Sequence, residues 1–258
     1  LSIRTGWTGP VTTLSSACAS GAAAIGEALW LLRTGRADRV LAGGVDALLT
    51  SGVAAFFARM EAMSGRLDDP EGSSRPFDVD RDGFVLGEGA GFVVLEREGD
   101  ADGPGLGSVM GYGTTSDAEN IVAPAEDGAG AARCMRQALA DAGVGADQVG
   151  HINAHGTSTL LNDATEGIAI RAVFGDRRVP VTSSKSVFGH LIGAAGAVEA
   201  IVALQAARAG LAPPIANLET PDPDIDLDLV TTAEPVAQPV VLSNSFGFGG
   251  HNATLVIR

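Results

Sequence analysis

Lysine is almost missing from this chain. Of 17 basic residues among 258, 16 are arginine and one is lysine, Lys185. A polybasic lysine patch for an anionic membrane is thereby excluded. Positive charge of any kind is scarce: 31 acidic residues leave a net charge of −14. That balance argues against a nucleic-acid binder, which needs a basic footprint. There are two cysteines, Cys18 and Cys134, far apart. Two can still pair, but they make neither a disulfide framework nor a zinc site, and a reducing cytoplasm is the expected compartment. No run of 18 apolar residues occurs, so no membrane-spanning helix is expected. Leu1 to Pro10 has no basic start and no apolar core, so no signal peptide is expected. The chain opens mid-pattern without Met, which reads as a piece of a longer protein.

What is present is a 45% hydrophobic chain, long enough for a large core. Runs rich in β-branched residues alternate with Ala-rich amphipathic stretches. Strands are expected at Val11 to Ser16, Arg39 to Gly43, Phe92 to Leu95, Val149 to Asn153, Val179 to Ser183, Val240 to Asn244 and Thr254 to Ile257. Helices are expected at Gly21 to Leu32, Val53 to Met60, Gly130 to Ala142, about Asp163 to Val173, and Gly193 to Ala209. The alternation predicts an α/β fold with much parallel pairing. Asp68 to Arg75 reads as an exposed excursion, Pro213 to Asp228 as a surface loop, and the Gly/Pro-rich Asp100 to Gly107 as a boundary.

One internal repeat stands out. Counting from Cys18 and from His190, Gly-Ala-Ala follows at +3 to +5 in both, and Glu-Ala at +9 and +10; both segments close on Arg-x-Gly. Ala-rich helices resemble one another by chance. The alternative is a duplicated βα unit that aims Cys18 and His190 from equivalent strand-to-helix corners. At such a corner, free N–H groups and the helix dipole would pull a thiol towards thiolate.

Cys18 lies among small residues, Ser16-Ala17-Cys18-Ala19-Ser20-Gly21, with room for a substrate. His155 opens His155-Gly156-Thr157-Ser158-Thr159 and His190 closes Lys185-Ser186-Val187-Phe188-Gly189-His190. All three fall past strand ends, where open α/β folds place ligands. Cys134 and His151 read as structural, and His251 as near the site without a role. Several motifs fail. Asp78-x-Asp80-x-Asp82-Gly83 resembles a calcium loop, but its twelfth position is Gly89. Gly105-x-Gly107 lacks the third glycine of a dinucleotide fingerprint. No phosphate-binding P-loop occurs, and Thr182-x-x-Lys185 has threonine where the penicillin-binding motif needs serine.

These segments, with Asn244-Ser245-Phe246-Gly247-Phe248-Gly249-Gly250 and the stretch Ser74 to Phe84, resemble in order the β-ketoacyl-acyl-carrier-protein synthases, condensing enzymes of the thiolase superfamily. The elongating type II branch matches best, since two His accompany the Cys. The resemblance implies a thiolase-like α/β fold: duplicated βα halves in an αβαβα layering, with the first half incomplete. Residues 1–105 would be the remainder of the half carrying the nucleophile, and 106–258 the half carrying both His. Cys18 would take the acyl chain, with the amides of Cys18 and Phe248 as oxyanion hole. His155 and His190 would stabilise the enolate left when malonyl-carrier loses carbon dioxide. Lys185 and Glu166 would form a buried charged pair behind them. Thr157 and Thr159 would bind the phosphopantetheine arm, with Phe246 and Gly249 also at the substrate and Phe248 gating the acyl cavity. No cofactor or metal is implied. The partners would be acyl carrier protein and a second subunit, as a homodimer or a synthase/chain-length-factor pair. Arg33, Arg36 and Arg39 are candidates for carrier docking or a solvated helix end. A chain-length factor would lack Cys18, and a thiolase acting on CoA thioesters would need a second Cys near the C-terminus.

Overall fold

A computed structural model describes residues 1–101 and 103–258. In chain order the elements are α1 (Ser2–Thr5), α2 (Ser20–Arg33), β1 (Arg39–Asp46), α3 (Ser51–Arg59), β2 (Gly89–Glu96), β3 (Val109–Ser116), α4 (Ala129–Ala142), β4 (Val149–Asn153), α5 (Leu160–Phe174), β5 (Pro180–Thr182), α6 (Lys185–Phe188), α7 (Ala195–Ala209), β6 (Leu211–Ala212), β7 (Asp228–Leu229), β8 (Glu234–Pro235), β9 (Val240–Gly247) and β10 (His251–Ile257). A six-stranded sheet runs β3-β10-β9-β4-β5-β7. Its first three strands pair antiparallel; β9, β4, β5 and β7 are parallel. β1 and β2 form a separate antiparallel pair.

The layers follow from which face each side chain takes. Along β9, Val240 and Leu242 join a core with Met135 and Leu139 of α4 and Ile170 and Phe174 of α5. Val241 points the other way, into a core built by Ala-rich α2 and α7. This period-two alternation is what a strand covered on both faces requires. Beyond α2 and α7 lies the β1–β2 pair, which reaches that second core through Val40, Val93 and Leu95. The order is therefore helix, sheet, helix, sheet. The fifth layer implied by the resemblance does not cover β1–β2, whose Val45, Phe92 and Val94 are exposed.

Small residues let the two central helices touch. A Cβ on Gly21 would lie 2.6 Å from the Ala197 amide nitrogen, and one on Gly196 would lie 2.7 Å from that of Ala22. The contact is reciprocal if positions 175 apart are equivalent. Gly35 and Gly210, both left-handed just past the helices, stand at the same interval. The offset of 172 that aligns Cys18 with His190 is thus not the one the packing uses. A 3-10 turn, Ile192–Ala194, separates His190 from α7 and accounts for the difference. With that turn, Ile192–Ala209 is an 18-residue rod of mean hydropathy 1.3, apolar enough by length and composition to cross a membrane. Its apolarity has a local cause: it is packed between two sheets and α2.

Three expectations fail. Val11 to Ser16 is not a strand: Val11 and Leu14 are exposed and no neighbouring strand pairs with them. Asp68 to Arg75 is exposed only at its start. Ser73, Ser74 and Arg75 are buried, with Ser74 Oγ donating to the Lys185 carbonyl (2.7 Å) and the Arg75 amide to Ser158 Oγ (3.0 Å). Pro213 to Asp228 is not wholly a surface loop, since Ile215, Leu218 and Ile225 enter the first core. The acidic stretch after Arg75 is structural: Asp78 accepts the amides of Glu219 and Thr220 at 2.8 Å, and Arg81 pairs with Asp222 at 2.6 Å.

Candidate active site

Cys18 sits on a tight corner just before α2. Ala17 is left-handed at φ 51°, which is strained for a residue with a Cβ. Ser20 holds the corner from below: its Oγ donates to the Ala17 carbonyl (2.7 Å) and accepts the Ser16 amide (2.9 Å). The end of β9 closes over the corner, where a Cβ on Gly247 would come within 2.7 Å of the Ser16 carbonyl. The backbone amides of Phe248 and Cys18 favour negative charge on the sulfur. They oppose, as does the Lys185 cation, a larger effect of burial that pushes the thiol up to about 11. The thiolate expected from the helix start is therefore not the resting form. Desolvation outweighs dipole and charge.

His155 follows β4, and its backbone amide is fixed from behind by Glu166. Glu166 accepts the His155 and Gly156 amides (2.9 and 2.8 Å) and Asn244 Nδ2 (3.1 Å). Burial, despite these donors, raises its carboxyl to about 7. Lys185 Nζ lies 3.3 Å from His155 Nδ1 and donates to the His155 carbonyl. An ammonium has only protons to offer, so Nδ1 accepts and Nε2 carries the ring proton. His190 reaches the same tautomer by another route, since the Ile192 amide donates to its Nδ1 at 3.3 Å. The rings stand edge to face, centroids 5.4 Å apart at 85°. Burial first, and the Lys185 cation second, hold both imidazoles well below the usual histidine range. Both are neutral donors at pH 7.

The charged pair differs from the expected one. Lys185 pairs with Glu199 of α7, the two in direct contact and 1% and 0% exposed, while Glu166 is engaged by amides and Asn244. Sequence reasoning missed Glu199 although the repeat had marked it at +9 from His190. Asn244, within the Asn244 to Gly250 motif, is a further functional residue: Thr254 Oγ1 donates to its Oδ1 at 3.0 Å, which aims Nδ2 at Glu166.

Cys18, His155 and His190 line one cavity of about 380 Å³. Phe57, Phe84, Ile192 and Phe248 make an apolar wall. Thr157 and Thr159, hydroxyls 2.9 Å apart, line it too, with Phe246 beside His155. Thr159 also caps α5 by accepting the Asn162 amide. Gly249 is misplaced by the expectation: it does not line the cavity, and its amide is bound by the Ile121 carbonyl at 2.7 Å. Arg33 and Arg39 are committed elsewhere, to Asp141 and Glu96. Cys134 is fully buried and its thiol pushed up to about 12, and His151 is buried against Thr182 Oγ1 at 2.7 Å. His251 is exposed at the start of β10. Among the described residues no group of three or more His, Cys, Asp or Glu could hold a metal.

This layered fold, with a corner cysteine and two buried neutral histidines, defines the class of thiolase-fold ketosynthases. Residues 1–101 match the family described as Beta-ketoacyl synthase, N-terminal domain, and 106–219 match Beta-ketoacyl synthase, C-terminal domain. The chain belongs to the β-ketoacyl synthase family. It is 48% identical, over its whole length, to 3-oxoacyl-[acyl-carrier-protein] synthase 2 of Rhizobium meliloti. It is 45% identical, over 99% of its length, to the protein of that name from Synechocystis sp.. Each match covers 63% of the relative, so the chain spans a little under two thirds of these proteins. A β-ketoacyl synthase from Burkholderia phymatum superposes with TM-score 0.95 at 37% identity, covering the whole chain and 63% of that structure. A ketosynthase in complex with its type II polyketide acyl-carrier protein also gives 0.95, at 34% identity, covering 100% and 65%.

Proposed function

We propose that the protein is a β-ketoacyl-carrier-protein synthase, an acyltransferase of fatty-acid or polyketide elongation. The observation that carries this reading is the convergence of the Cys18 sulfur, two backbone amides and two neutral imidazoles on one apolar-walled cavity. In the first half-reaction the Cys18 sulfur attacks an acyl-carrier thioester. The carbonyl oxygen takes negative charge under the Cys18 and Phe248 amides. The carrier sulfur leaves and takes the thiol proton. With the thiol at about 11, the proton departs as the new bond forms rather than beforehand.

In the second half-reaction a malonyl-carrier enters. Its carboxylate leaves as carbon dioxide, and the electron pair moves onto the thioester oxygen as an enolate. The Nε2 protons of His155 and His190 face that charge. Neutral donors suit it, because the same imidazoles would take no permanent charge beside a buried lysine. The enolate carbon then attacks the Cys18 thioester, 3-oxoacyl-carrier forms, and the expelled Cys18 thiolate takes a proton from water to restore the resting thiol. Thr157 and Thr159 offer hydroxyls to the amides of the pantetheine arm.

The partners follow from this chemistry: an acyl carrier, and a second synthase or chain-length-factor subunit. A solved relative holds a carrier on a ketosynthase, and another pairs a ketosynthase with its chain length factor. Cys18 favours the catalytic member of such a pair. The test is intact mass of the full-length protein with acyl-carrier and then malonyl-carrier. A stable adduct on Cys18, absent in Cys18→Ala and discharged by malonyl-carrier, is expected. An adduct only on Cys134, or none on folded protein, would overturn the reading.

A further inference from the structure

At the start of the rod Ile192–Ala209 the Ile192 amide is taken by His190 Nδ1, while the Gly193 amide has no local side-chain acceptor. Neither Leu191 nor Ala194 supplies a side-chain acceptor to its free amides. The acceptor comes from far away in sequence: Gly193 N–H donates to Asp46 Oδ2 at 2.6 Å, across 147 positions. Asp46 is the last residue of β1. A carboxylate is the favoured partner of a helix N-terminus. The same strand touches the turn by backbone: a Cβ on Gly44 would lie 2.7 Å from the Gly193 carbonyl oxygen and 3.0 Å from Ala194 Cα. A Cβ on Gly193 would itself lie 2.8 Å from Asp46 Oδ2.

The residue beside this clamp is strained. Ile192 is left-handed at φ 48°, an outlier for a β-branched side chain, which persists only where its surroundings over-determine it. Its amide is the one that donates to His190 Nδ1 and so sets the tautomer. Its side chain packs against the apolar wall with Phe57 and Phe84. Release of the turn would let Ile192 relax and swing its amide away from the ring.

We propose that Asp46 is a positioning residue: by holding the Gly193 amide it keeps Ile192 strained and His190 in the Nε2–H form. The inference rests on the condensing reading above. It assigns Asp46 chiefly to the second half-reaction, because Ser20 and the Phe248 loop hold Cys18; the turn only brushes that corner, a Cβ on Gly193 lying 3.7 Å from Ser20 Cβ and 3.8 Å from the Ala17 carbonyl oxygen, so any loss in acylation should be the smaller one.

The experiment measures both half-reactions of the full-length protein: acylation of Cys18 by acyl-carrier, and condensation with malonyl-carrier. Asp46→Ala should acylate within about twofold of the parent and condense about tenfold or more slower, with KM for malonyl-carrier nearly unchanged. Asp46→Asn keeps an oxygen for the Gly193 amide but loses charge assistance, so its condensation-to-acylation ratio should fall about two- to fivefold. A purely structural role would lower both half-reactions together, which overturns the proposal. So does a ratio in Asp46→Asn equal to the parent's, even if Asp46→Ala is insoluble. Failure of the parent itself to condense would refute the condensing reading rather than the role of Asp46.

Discussion

Replacing Glu199 by Gln isolates the buried pair behind the histidines. Lys185 and Glu199 are 1% and 0% exposed, so the substitution strands an ammonium away from water. Breaking a buried pair from one side costs about 3–5 kcal/mol. Glu166→Gln should behave differently. Its carboxyl sits near 7, so the neutral amide resembles a form already populated, and one oxygen still accepts an amide. Its cost should be about 1–3 kcal/mol, since the amide turns an NH2 towards at least one of the three N–H groups that Glu166 accepts. Lys185→Met combined with Glu199→Met removes both charges and should recover most of what either single change loses. Urea unfolding of the full-length protein, followed by far-UV circular dichroism, gives the cycle. If Glu199→Gln costs under about 1 kcal/mol while Glu166→Gln costs over about 3 kcal/mol, the lysine's counter-charge lies on Glu166 and the assignment is wrong.

Alkylation of resting Cys18 by iodoacetamide should keep accelerating above pH 9, as expected for a thiol near 11; a plateau at neutral pH would reveal a preformed thiolate. Cys134, fully buried, serves as the unreactive control in the same peptide map. Thr159→Ala should lower stability by about 1 kcal/mol more than Thr157→Ala, because both lose the hydroxyl contact between them and only Thr159 caps α5; equal losses would refute the division of labour. His151 takes its proton near pH 4 in the fold but near 6.5 in the unfolded chain, so its contribution is intact above pH 6.5 and lost as pH falls to 4. Relative to His151→Gln, the parent should lose about 3 kcal/mol over that window; parallel stability curves would contradict it. Glu166 titrates in the opposite sense but is common to both proteins and cancels.

The central elements were legible because their cause is local. Val149–Asn153 carries Val149 and Ile152 and is buried along its whole length, and Ala129–Ala142 ends at Gly143, left-handed as a stop requires. Val11 to Ser16 has the same local signal and no partner, so the pattern alone misled. The triad of Cys18, His155 and His190 was legible because Cys18 and His155 sit among small or hydroxyl residues and all three motifs fall in the order the resemblance requires. Glu199 was not. Nothing in its neighbourhood distinguishes a carboxylate aimed at Lys185 from one aimed at water. Only the rotation of α7, set by the Gly21 and Gly196 contacts, turns it inward. Ser73 to Arg75 reads as loop by composition, and it is loop. Its burial comes from Ser158 and the Lys185 carbonyl, both distant in sequence.

The two central helices explain why one corner bears a nucleophile and the other a donor. Helix packing equates positions 175 apart, yet His190 stands three residues further from its helix than Cys18 does from α2. Those three residues form the Ile192–Ala194 turn. At the Cys18 corner the Ala19 and Ser20 amides close onto the Ser16 and Ala17 carbonyls, while the Cys18 amide, with that of Phe248, favours charge at the sulfur, which suits negative charge on a reacting carbonyl oxygen. With the turn, the Ile192 amide is spent on the ring of His190 and converts it into a fixed Nε2–H donor. Backbone amides thus serve both ends of the chemistry, acting directly at the sulfur at one corner and through an imidazole at the other. Lys185 joins them: its charge acts on Cys18, and its protons fix His155. A compact ammonium can reach the His155 ring, the His155 carbonyl and Glu199 from one point, where the planar fork of arginine could not. In a chain that uses arginine at its other 16 basic positions, that geometry is the physical reason for a single lysine.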